Sequence, residues 1–424
     1  MGEIQKKRGS GGKSWKFWIL FVAVPIIVVV GSSMAAFMYV KRTSWKKQGV
    51  AQGRLYAQLN RHTEAIDEFE KKLKKEPENA EIHYHMGLSY TKLKEYDKAS
   101  EAFNKAINFK PDYSNARLQL AALKLIQATD LRKLGKSESL VLEMLLEAED
   151  ACRDTIEKDP DFVQAYAMLG DIHSFQGLID DAIMDYKHML EVDNSSVKGH
   201  IALAGLYVNK KDLDMAKKEC DLILSELEPD NFQALSLVST IYQQQGKHEE
   251  SIAALKKILE KRPEDVRVHT QLGYIFLVTS KYDDAFSEIE KAFKFGAGRT
   301  LPVMAHFVKG SVSLQRKEYK AAIISLKDAT VRAPKVPQFH YYLAIALSQD
   351  GRIEEAKTEF KSAIDLEPGF IPAKLGLAKL LMADGWYAKV INLCEDILKI
   401  QPDNVNALQI SGSAYVKTKD FEQA

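Results

Sequence analysis

A 34-residue period runs through most of the chain and constrains its fold more than any single residue does. The period is marked by pairs of prolines at this spacing, namely Pro77 and Pro111, Pro229 and Pro263, Pro334 and Pro368, and Pro368 and Pro402. A unit of this length cannot bury its apolar face alone, so successive units stack into a solenoid. The chain is therefore predicted to present a long surface to other molecules.

Small residues recur at fixed positions of each unit. In the unit that begins at Ala80, the eighth residue is Gly87, the twentieth is Ala99 and the twenty-fourth is Phe103. Small residues let two helices approach closely, and the larger residue fills the space beside them. A residue that precedes proline is disfavoured in the α region, so the second helix of each unit should end at its proline dipeptide. Because no stretch of a strand's length alternates apolar and polar residues, the predicted fold is all-α.

The segment 83–90, together with Ala99, Phe103, Ala106 and Pro111, resembles the tetratricopeptide repeat family. The resemblance extends over residues 46–424, as ten complete repeats and a truncated eleventh. It implies a superhelical solenoid of antiparallel helix pairs, whose concave face is lined by the first helices and usually binds peptides or protein segments. Because the chain stops at Ala424, within the eleventh repeat, we expect it to be a piece of a longer protein.

Two insertions interrupt the period. One of 15 residues lies in the repeat that begins at Ser114, and it predicts that both helices of this repeat are longer by about two turns. The extended hairpin is either a tolerated loop elongation or a docking arm. The other, of three residues, lies near residues 296–298 and suggests a looser joint.

An uncharged segment, residues 17–40, follows a basic tail at residues 1–16. As a helix it would extend ~36 Å, enough to cross a hydrocarbon core of ~30 Å. We therefore predict one N-terminal transmembrane helix; the alternative is a signal peptide cleaved near residues 33–35. Five basic residues precede the segment and four follow it, so the orientation is open. The free amino group favours a cytoplasmic tail and an array on the far side of the membrane. The chain is therefore predicted to be a single-pass protein of the bacterial inner membrane with a periplasmic array.

The composition argues against several classes of function. Lys plus Arg number 59 and Asp plus Glu number 58, so no charge excess favours nucleic acid. Cys152, Cys220 and Cys394 lie in separate repeats, too far apart for a disulfide, and are interpreted as core residues. The histidines and carboxylates form no metal-ligand or nucleophile–base pattern. The sequence therefore predicts no catalytic, cofactor-binding or metal-binding residue and no small-molecule substrate; the chain is predicted not to be an enzyme.

The resemblance also implies which side chains face the groove. In the family these are residues two, five, nine, twelve and thirteen of the first helix. The aromatic and amide residues at or beside these positions are Tyr84, Phe175, Gln243, Gln244, Tyr274, Phe307 and Tyr341. Such side chains bind peptide segments by stacking and by hydrogen bonds. The alternative for any one ring is packing against a neighbouring helix.

These features predict a membrane-anchored scaffold that binds protein or peptide segments in its concave face, in the assembly or export of envelope proteins or polysaccharides. The layout is similar to that of anchored bacterial repeat proteins of exopolysaccharide export and protein sorting. Two alternatives are open. The chain could be a cytosol-facing receptor, similar in layout to the mitochondrial outer-membrane import receptor. It could also be the targeting half of a longer enzyme, such as a glycosyltransferase, whose catalytic domain lies beyond residue 424.

Overall fold

The computed structural model describes residues 50–297 and 300–418. The predicted basic tail and transmembrane segment, residues 1–16 and 17–40, lie outside the described residues, so both stay predictions. No helix in the described part of the chain is long and apolar enough to cross a membrane. The chain divides into two compact units, one up to Ile241 and one from Tyr242, which are described separately.

Regular structure in the two described ranges is helical, which confirms the predicted all-α solenoid. The first unit contains α1 (Ala51–Gln58), α2 (His62–Leu73), α3 (Ala80–Lys92), α4 (Tyr96–Phe109), α5 (Ser114–Lys133), α6 (Glu138–Lys158), α7 (Val163–Gln176), α8 (Ile179–Val192), α9 (Val197–Lys210) and α10 (Leu213–Leu222). The unit boundary falls within α11 (Phe232–Gln244). The second unit continues with α12 (His248–Lys261), α13 (Val266–Val278), α14 (Tyr282–Phe295), α15 (Val303–Gln315), α16 (Tyr319–Arg332), α17 (Pro337–Gln349), α18 (Ile353–Leu366), α19 (Ile371–Ala383), α20 (Tyr387–Leu398) and α21 (Val405–Thr418). Odd-numbered helices are the first helices of the repeats, and even-numbered helices are the second.

A residue in the left-handed conformation follows each first helix from α1 to α19. In the described residues five of these are glycines, such as Gly177 (φ 81°), and five carry side chains, such as Lys211 (φ 63°). The next amide then donates to a carbonyl five residues back, as Leu178 N does to His173 O at 2.9 Å. This is the Schellman arrangement, which satisfies carbonyls at the helix end and turns the chain into the second helix.

The two helices of a repeat cross where a small residue meets a large one. The eighth residue of the repeat lies against the side chain sixteen positions later, as in the pairs Gly53–Phe69, Gly87–Phe103 and Gly170–Tyr186. A Cβ atom at Gly170 would lie 2.7 Å from the Tyr186 ring, closer than carbon atoms pack. The small residues at this position are therefore required by the rings opposite them.

In three repeats the histidine at the fourth position contacts both a glutamate of the second helix and a backbone carbonyl six residues earlier. His269 of α13 contacts the Glu288 carboxylate of α14 through Nδ1 at 2.6 Å and the Pro263 carbonyl through Nε2 at 2.9 Å. His200 contacts Glu219 and the Asn194 carbonyl, and His340 contacts Glu359 and the Pro334 carbonyl, in the same geometry. We call these contacts histidine bridges. Each one joins the turn before a repeat to both of its helices.

The repeat from Val197 has one residue more than the period, since the next repeat begins at Phe232. Its second helix, α10, continues as a π-helical turn over Ile223–Leu227. There Glu228 N donates to Ile223 O at 2.7 Å, a bond that spans five residues. The wider turn accommodates the additional residue before the proline.

The longest helices are α5 and α6, with 20 and 21 residues. Val141, Leu145 and Ala148 of α6 pack on α5, whereas Leu142 and Leu146 are about half exposed. Cys152, Cys220 and Cys394 are fully buried in their repeats. Burial raises the pKa of the Cys152 and Cys220 thiols to about 12 and that of the Cys394 thiol to about 11. These three cysteines therefore stay protonated and are poor nucleophiles.

Candidate functional site

A cleft of about 430 Å³ lies in the second unit, on three successive first helices. Helices α13, α15 and α17 supply most of its walls, and α14 contributes its first residue. Its lining is aromatic, aliphatic or uncharged polar throughout: Tyr274, Leu277, Val278, Tyr282, Met304, Phe307, Ser311, Gln315, Val336, Gln338, Phe339 and Tyr342. The volume falls within the range of about 300–1,000 Å³ that is typical of ligand pockets.

An aromatic cluster forms the floor of the cleft. The Phe307 ring stacks on Phe339 with their centroids 4.9 Å apart and meets the edge of Tyr342 at 5.2 Å. Phe307 and Phe339 are only 7% and 2% exposed, so both belong to the core and fix the position of Tyr342. Such stacked and edge-on arrangements are favoured by the charge distribution of aromatic rings.

Three tyrosines line the cleft, namely Tyr274, Tyr282 and Tyr342. Burial, and next the neighbouring Tyr342, raise the pKa of Tyr274 above its ordinary value. Burial, and next the neighbouring Tyr282, raise the pKa of Tyr342 in the same direction. Tyr274 and Tyr342 therefore remain protonated at neutral pH.

The Ser311 hydroxyl is buried in the cleft wall with no hydrogen-bond partner in the described part of the chain. Two buried threonine hydroxyls of the second unit donate to their own helix, Thr270 to the Val266 carbonyl at 2.7 Å and Thr330 to the Leu326 carbonyl at 2.8 Å. A buried hydroxyl without a partner costs free energy unless a ligand or solvent atom satisfies it. Ser311 therefore contributes an unsatisfied buried hydroxyl to the wall of the cleft.

No charged side chain lines the cleft, and nothing in it is arranged for proton transfer to a substrate. Gln315 is exposed and Gln338 half-buried, and both offer amide donors and acceptors. Across residues 50–297 and 300–418, no three His, Cys, Asp or Glu side chains are placed to hold a metal ion. The arrangement suits stacking and neutral hydrogen bonds.

Two of the predicted binding residues, Tyr274 and Phe307, come together in this cleft. Gln243 and Gln244 lie on α11, half-buried and exposed respectively, and do not line it. The Tyr341 ring points to its own second helix and the following turn, with centroids 6.0 Å from Phe360 and 5.4 Å from Phe370.

The other two predicted residues lie in the first unit, where both pack against neighbouring side chains. The Tyr84 ring lies 6.1 Å from Phe103 and 5.1 Å from Tyr113. The Phe175 ring lies 4.2 Å from the Arg132 guanidinium of α5. Partner binding by the residues outside the cleft stays a prediction.

Sequence reasoning did not select Tyr342, Tyr282, Ser311, Gln315 or Gln338. A signal for three of them was present, because Gln338, Ser311 and Gln315 occupy the second, ninth and thirteenth positions of their repeats. Tyr341 and Tyr342 occupy the fifth and sixth positions of their repeat. The family pattern selects the fifth position, whereas the sixth lines the cleft. Tyr282 begins a second helix, where no groove residue was expected.

Comparison with known proteins identifies the repeats. Models described as "Tetratricopeptide repeat" match residues 80–113, 163–196, 239–302 and 347–404, and one described as "TPR repeat" matches residues 53–94. Together these segments cover slightly more than half of the chain.

Several curated proteins are similar over most of the chain. "Protein CTR9 homolog" of Arabidopsis thaliana is 22% identical, with 81% of this chain and 38% of the relative covered. Human "DnaJ homolog subfamily C member 3" is 22% identical, with 82% and 65% covered. "BBSome complex member BBS4" of Bos taurus is 22% identical, with 84% and 57% covered. The chain spans less than two thirds of the length of each of these relatives.

Among solved structures, the "APC/C hetero-tetramer Cut9-Hcn1" contains a chain that is similar in fold. Its TM-score is 0.52 at 14% identity, and the match covers 86% of this chain and 83% of that one. At this identity the likeness concerns the fold alone. The repeat models agree with the helix pairs, their close crossings and their left-handed turns, and this chain is a member of the tetratricopeptide repeat family.

Proposed function

We propose that this chain is a non-enzymatic interaction scaffold that binds a peptide or protein segment on the face formed by α13, α15 and α17. The observation that supports this role is the cleft around Tyr274, Phe307 and Tyr342. It combines aromatic rings with the neutral polar side chains of Gln315 and Gln338, and it lacks the charged side chains that acid–base chemistry uses. One similar protein is named as a member of a complex, which is compatible with a scaffold role.

The proposal includes a membrane tether. Residues 17–40 contain no charge and are long enough to cross a bilayer as a helix. A tethered array with its cleft on the periplasmic side would recruit proteins that assemble or export envelope components. The length and charge of residues 17–40 support this part of the proposal, and the positive flanks on both sides leave its orientation to experiment.

Site-specific photo-crosslinking tests the binding face. A photoreactive amino acid would replace Gln315, which is exposed at the cleft, or Ile324, which is 66% exposed on α16 and does not line the cleft. We expect adducts to a partner from position 315 and none from position 324. Adding Tyr274→Ala should abolish the adduct, because loss of an aromatic anchor typically costs about 2 kcal/mol or more.

Circular dichroism and amide exchange of α13 and α15 would verify that Tyr274→Ala remains folded. Phe307 is unsuitable for this test, since truncating a core ring removes packing as well as contact. Equal crosslinking from both positions, or an adduct that survives in the folded variant, would refute binding in the cleft.

A further inference from the structure

Two leucines of α6 are exposed where the elongated hairpin extends past the next repeat. By the repeat register, Ala148 of α6 corresponds to Ala182 of α8, so α8 begins at the level of Leu145. About two turns of α6 therefore project beyond the start of α8. Leu142 and Leu146 lie in and next to these turns, and each is about half exposed.

The side of α6 that carries these leucines faces the next repeat. Leu142, Leu146 and Glu149 follow one another by four and three residues, the spacing of one face of a helix. The carboxylate of Glu149 lies 3.7 Å from Nε2 of His173 on α7, and Nδ1 of the same ring lies 2.5 Å from the Asp185 carboxylate of α8. The C-terminal part of this face is thus covered by the next repeat, whereas its N-terminal part, with both leucines, is exposed.

A helix suits this exposed face better than an extended segment does. The backbone amides and carbonyls of residues 142–146 bond within α6, so a strand that covered them would bury its own backbone groups without partners. A helix satisfies its backbone internally. Two leucines four residues apart also form a ridge that packs between the side chains of a second helix. We therefore expect a partner helix with an apolar stripe.

The surroundings of the two leucines are strongly acidic. Residues 138–193, which contain α6, α7 and α8, include 15 Asp and Glu but only 3 Lys and Arg, although the whole chain is balanced. Lys and Arg from outside this block pair with five of its carboxylates: Glu138, Glu147, Asp154, Asp171 and Asp180. An acidic surplus remains after these pairs. Glu143 and Asp150, which are one turn or less from Leu146 along α6, are both exposed.

The negative potential of this block also acts on a buried group. Burial, and next the carboxylates of Asp185, Glu149 and Asp171, raise the pKa of the Cys152 thiol to about 12. Nearby negative charge disfavours a thiolate in the same way that it favours a cation. A basic segment is therefore attracted to this side of the first unit, and an acidic one is repelled.

We infer that the exposed face of α6 around Leu142 and Leu146 docks a basic amphipathic helix of a partner protein. The apolar stripe of that helix covers the two leucines, and its lysines or arginines face the carboxylates of Glu143 and Asp150. This second interaction surface lies in the first unit and goes beyond the proposed function, because it does not require the cleft of α13, α15 and α17.

Fluorescence anisotropy with the full-length chain in phosphatidylcholine nanodiscs tests the inference, with empty nanodiscs as the blank. The probe is a capped, dye-labelled helical peptide with leucines on one face and lysines on the other. One matched peptide has glutamates in place of the lysines, and a second has the same composition with its leucines spread around the helix. We expect the probe to bind at least roughly tenfold more tightly than either, because it alone combines the apolar stripe with the complementary charge.

A pair of double variants tests the apolar contact. Leu142→Ser with Leu146→Ser should weaken binding of the lysine peptide roughly tenfold, because two apolar contacts are lost. The control, Leu55→Ser with Leu59→Ser, changes two leucines at the same spacing in the first repeat. Their exposed fractions of 53% and 59% are close to the 49% and 50% of the leucines on α6. The control should leave the affinity unaltered, and circular dichroism would verify that both variants remain folded.

A third double variant tests the charge. Glu143→Gln with Asp150→Asn should weaken binding about fivefold, the effect of two exposed ion pairs, and should reduce its dependence on salt. Amide exchange of the wild-type chain should slow in α6 when the lysine peptide is bound. Tyr274→Ala should leave the affinity unaltered, which separates this surface from the cleft.

Three results would overturn the inference. Equal affinity for the lysine and glutamate peptides would remove the charge complementarity. Unaltered binding by the double variant of Leu142 and Leu146, or an equal loss in the control of Leu55 and Leu59, would remove the assigned position. Loss of binding in a folded Tyr274→Ala variant would place the peptide in the cleft and leave α6 without a partner helix.

Discussion

The glycines of the first helices are not equivalent, and the chain contains a matched pair. At Gly170 an added Cβ would lie 2.7 Å from the Tyr186 ring, whose hydroxyl is held by the Asp171 carboxylate. At Gly205 of α9, an added Cβ would have nothing within 4 Å. Both glycines lie inside helices of the first unit, so replacement by alanine makes the same change in backbone conformational entropy at each position.

We expect opposite effects on stability. Gly170→Ala should destabilise the α7–α8 hairpin by about 1–3 kcal/mol through overpacking. Gly205→Ala should stabilise α9 by about 0.5–1 kcal/mol through its better helix propensity. Native-state hydrogen exchange would report each change locally, which suits a repeat array that need not unfold in two states. Effects of the same sign at both positions would contradict the assigned role of the Tyr186 contact.

The small residues at the eighth position were predictable from the sequence, because a close helix crossing requires a small side chain at the same position of every repeat. The left-handed residues were only half predictable. Gly177, Gly246, Gly351 and Gly385 are residues that favour positive φ, so the sequence predicts turns at these positions. Lys211 adopts the same conformation in a Schellman turn, although lysine has no preference for positive φ. The sequence also did not predict which of Tyr341 and Tyr342 lines the cleft. The ring of Tyr341 contacts Phe360 and Phe370, whereas the ring of Tyr342 contacts Phe307 of the preceding repeat.

At the level of the helix pair, the bridges of His269 and His340 make stability depend on pH. Both partners of His269 are oxygen atoms, so the protonated ring can donate to both of them whereas the neutral ring can donate to only one. Burial lowers the pKa of His269, but the bonds to Glu288 and the Pro263 carbonyl outweigh it and raise the pKa above its ordinary value. The bond to Glu359 raises the pKa of His340, against the opposing effect of burial.

A raised folded pKa fixes the sign of the effect. The stabilisation is fully present below the unfolded value of about 6.5 and is lost as the pH rises through the folded value. We therefore expect the opening free energy of α13 and α17, from amide exchange corrected for intrinsic rates, to fall when the pH is raised from about 6 into the alkaline range. Glu288→Gln should flatten this dependence at α13 and leave it at α17. A dependence at α13 that persists in Glu288→Gln would contradict the role assigned to the bridge of His269.

His306 provides the opposite case within the same measurement. Burial, and next the nearby Arg332, lower its pKa. Its Nε2 has no partner among the described residues, and Asp328 lies 3.6 Å from Nδ1. A lowered folded pKa means that stability is lost as the pH falls below about 6.5. Helix α15 should therefore lose protection in acid, where α13 and α17 keep theirs.

For the whole molecule, the architecture followed from the sequence and the binding cleft did not. The period alone predicted stacked helix pairs, because each repeat has to bury the same face against its neighbours. The cleft depends on what three successive repeats place side by side. Met304, Ser311 and Gln338 become a site only once α13, α15 and α17 are neighbours, and no single repeat contains that information.

The proposed tether predicts which side of a membrane the array occupies. Lys136 is exposed in the turn between α5 and α6, and Lys136→Cys would introduce a reactive thiol there. The native cysteines are buried with raised pKa values, so they should contribute little background. A membrane-impermeant maleimide should label the variant in intact spheroplasts of a bacterial host. Labelling only after lysis would reverse the orientation, and recovery of the chain in the soluble fraction would refute the tether.

The π-helical turn at Ile223–Leu227 separates the length of the chain from its geometry. One surplus residue is absorbed within a single widened turn, and the following helix α11 begins at its normal structural position after the proline. Beyond Leu227, each residue is therefore one position later in the chain than a constant 34-residue period predicts from the repeat at Val197. An alignment that assumes a constant period from this repeat would misplace the following helix. The last turn of a second helix is thus a place where the array tolerates a change of length. The first turns of a second helix do not tolerate such a change, because they contain the alanine and the aromatic residue at the helix crossing, as Ala182 and Tyr186 of α8 illustrate.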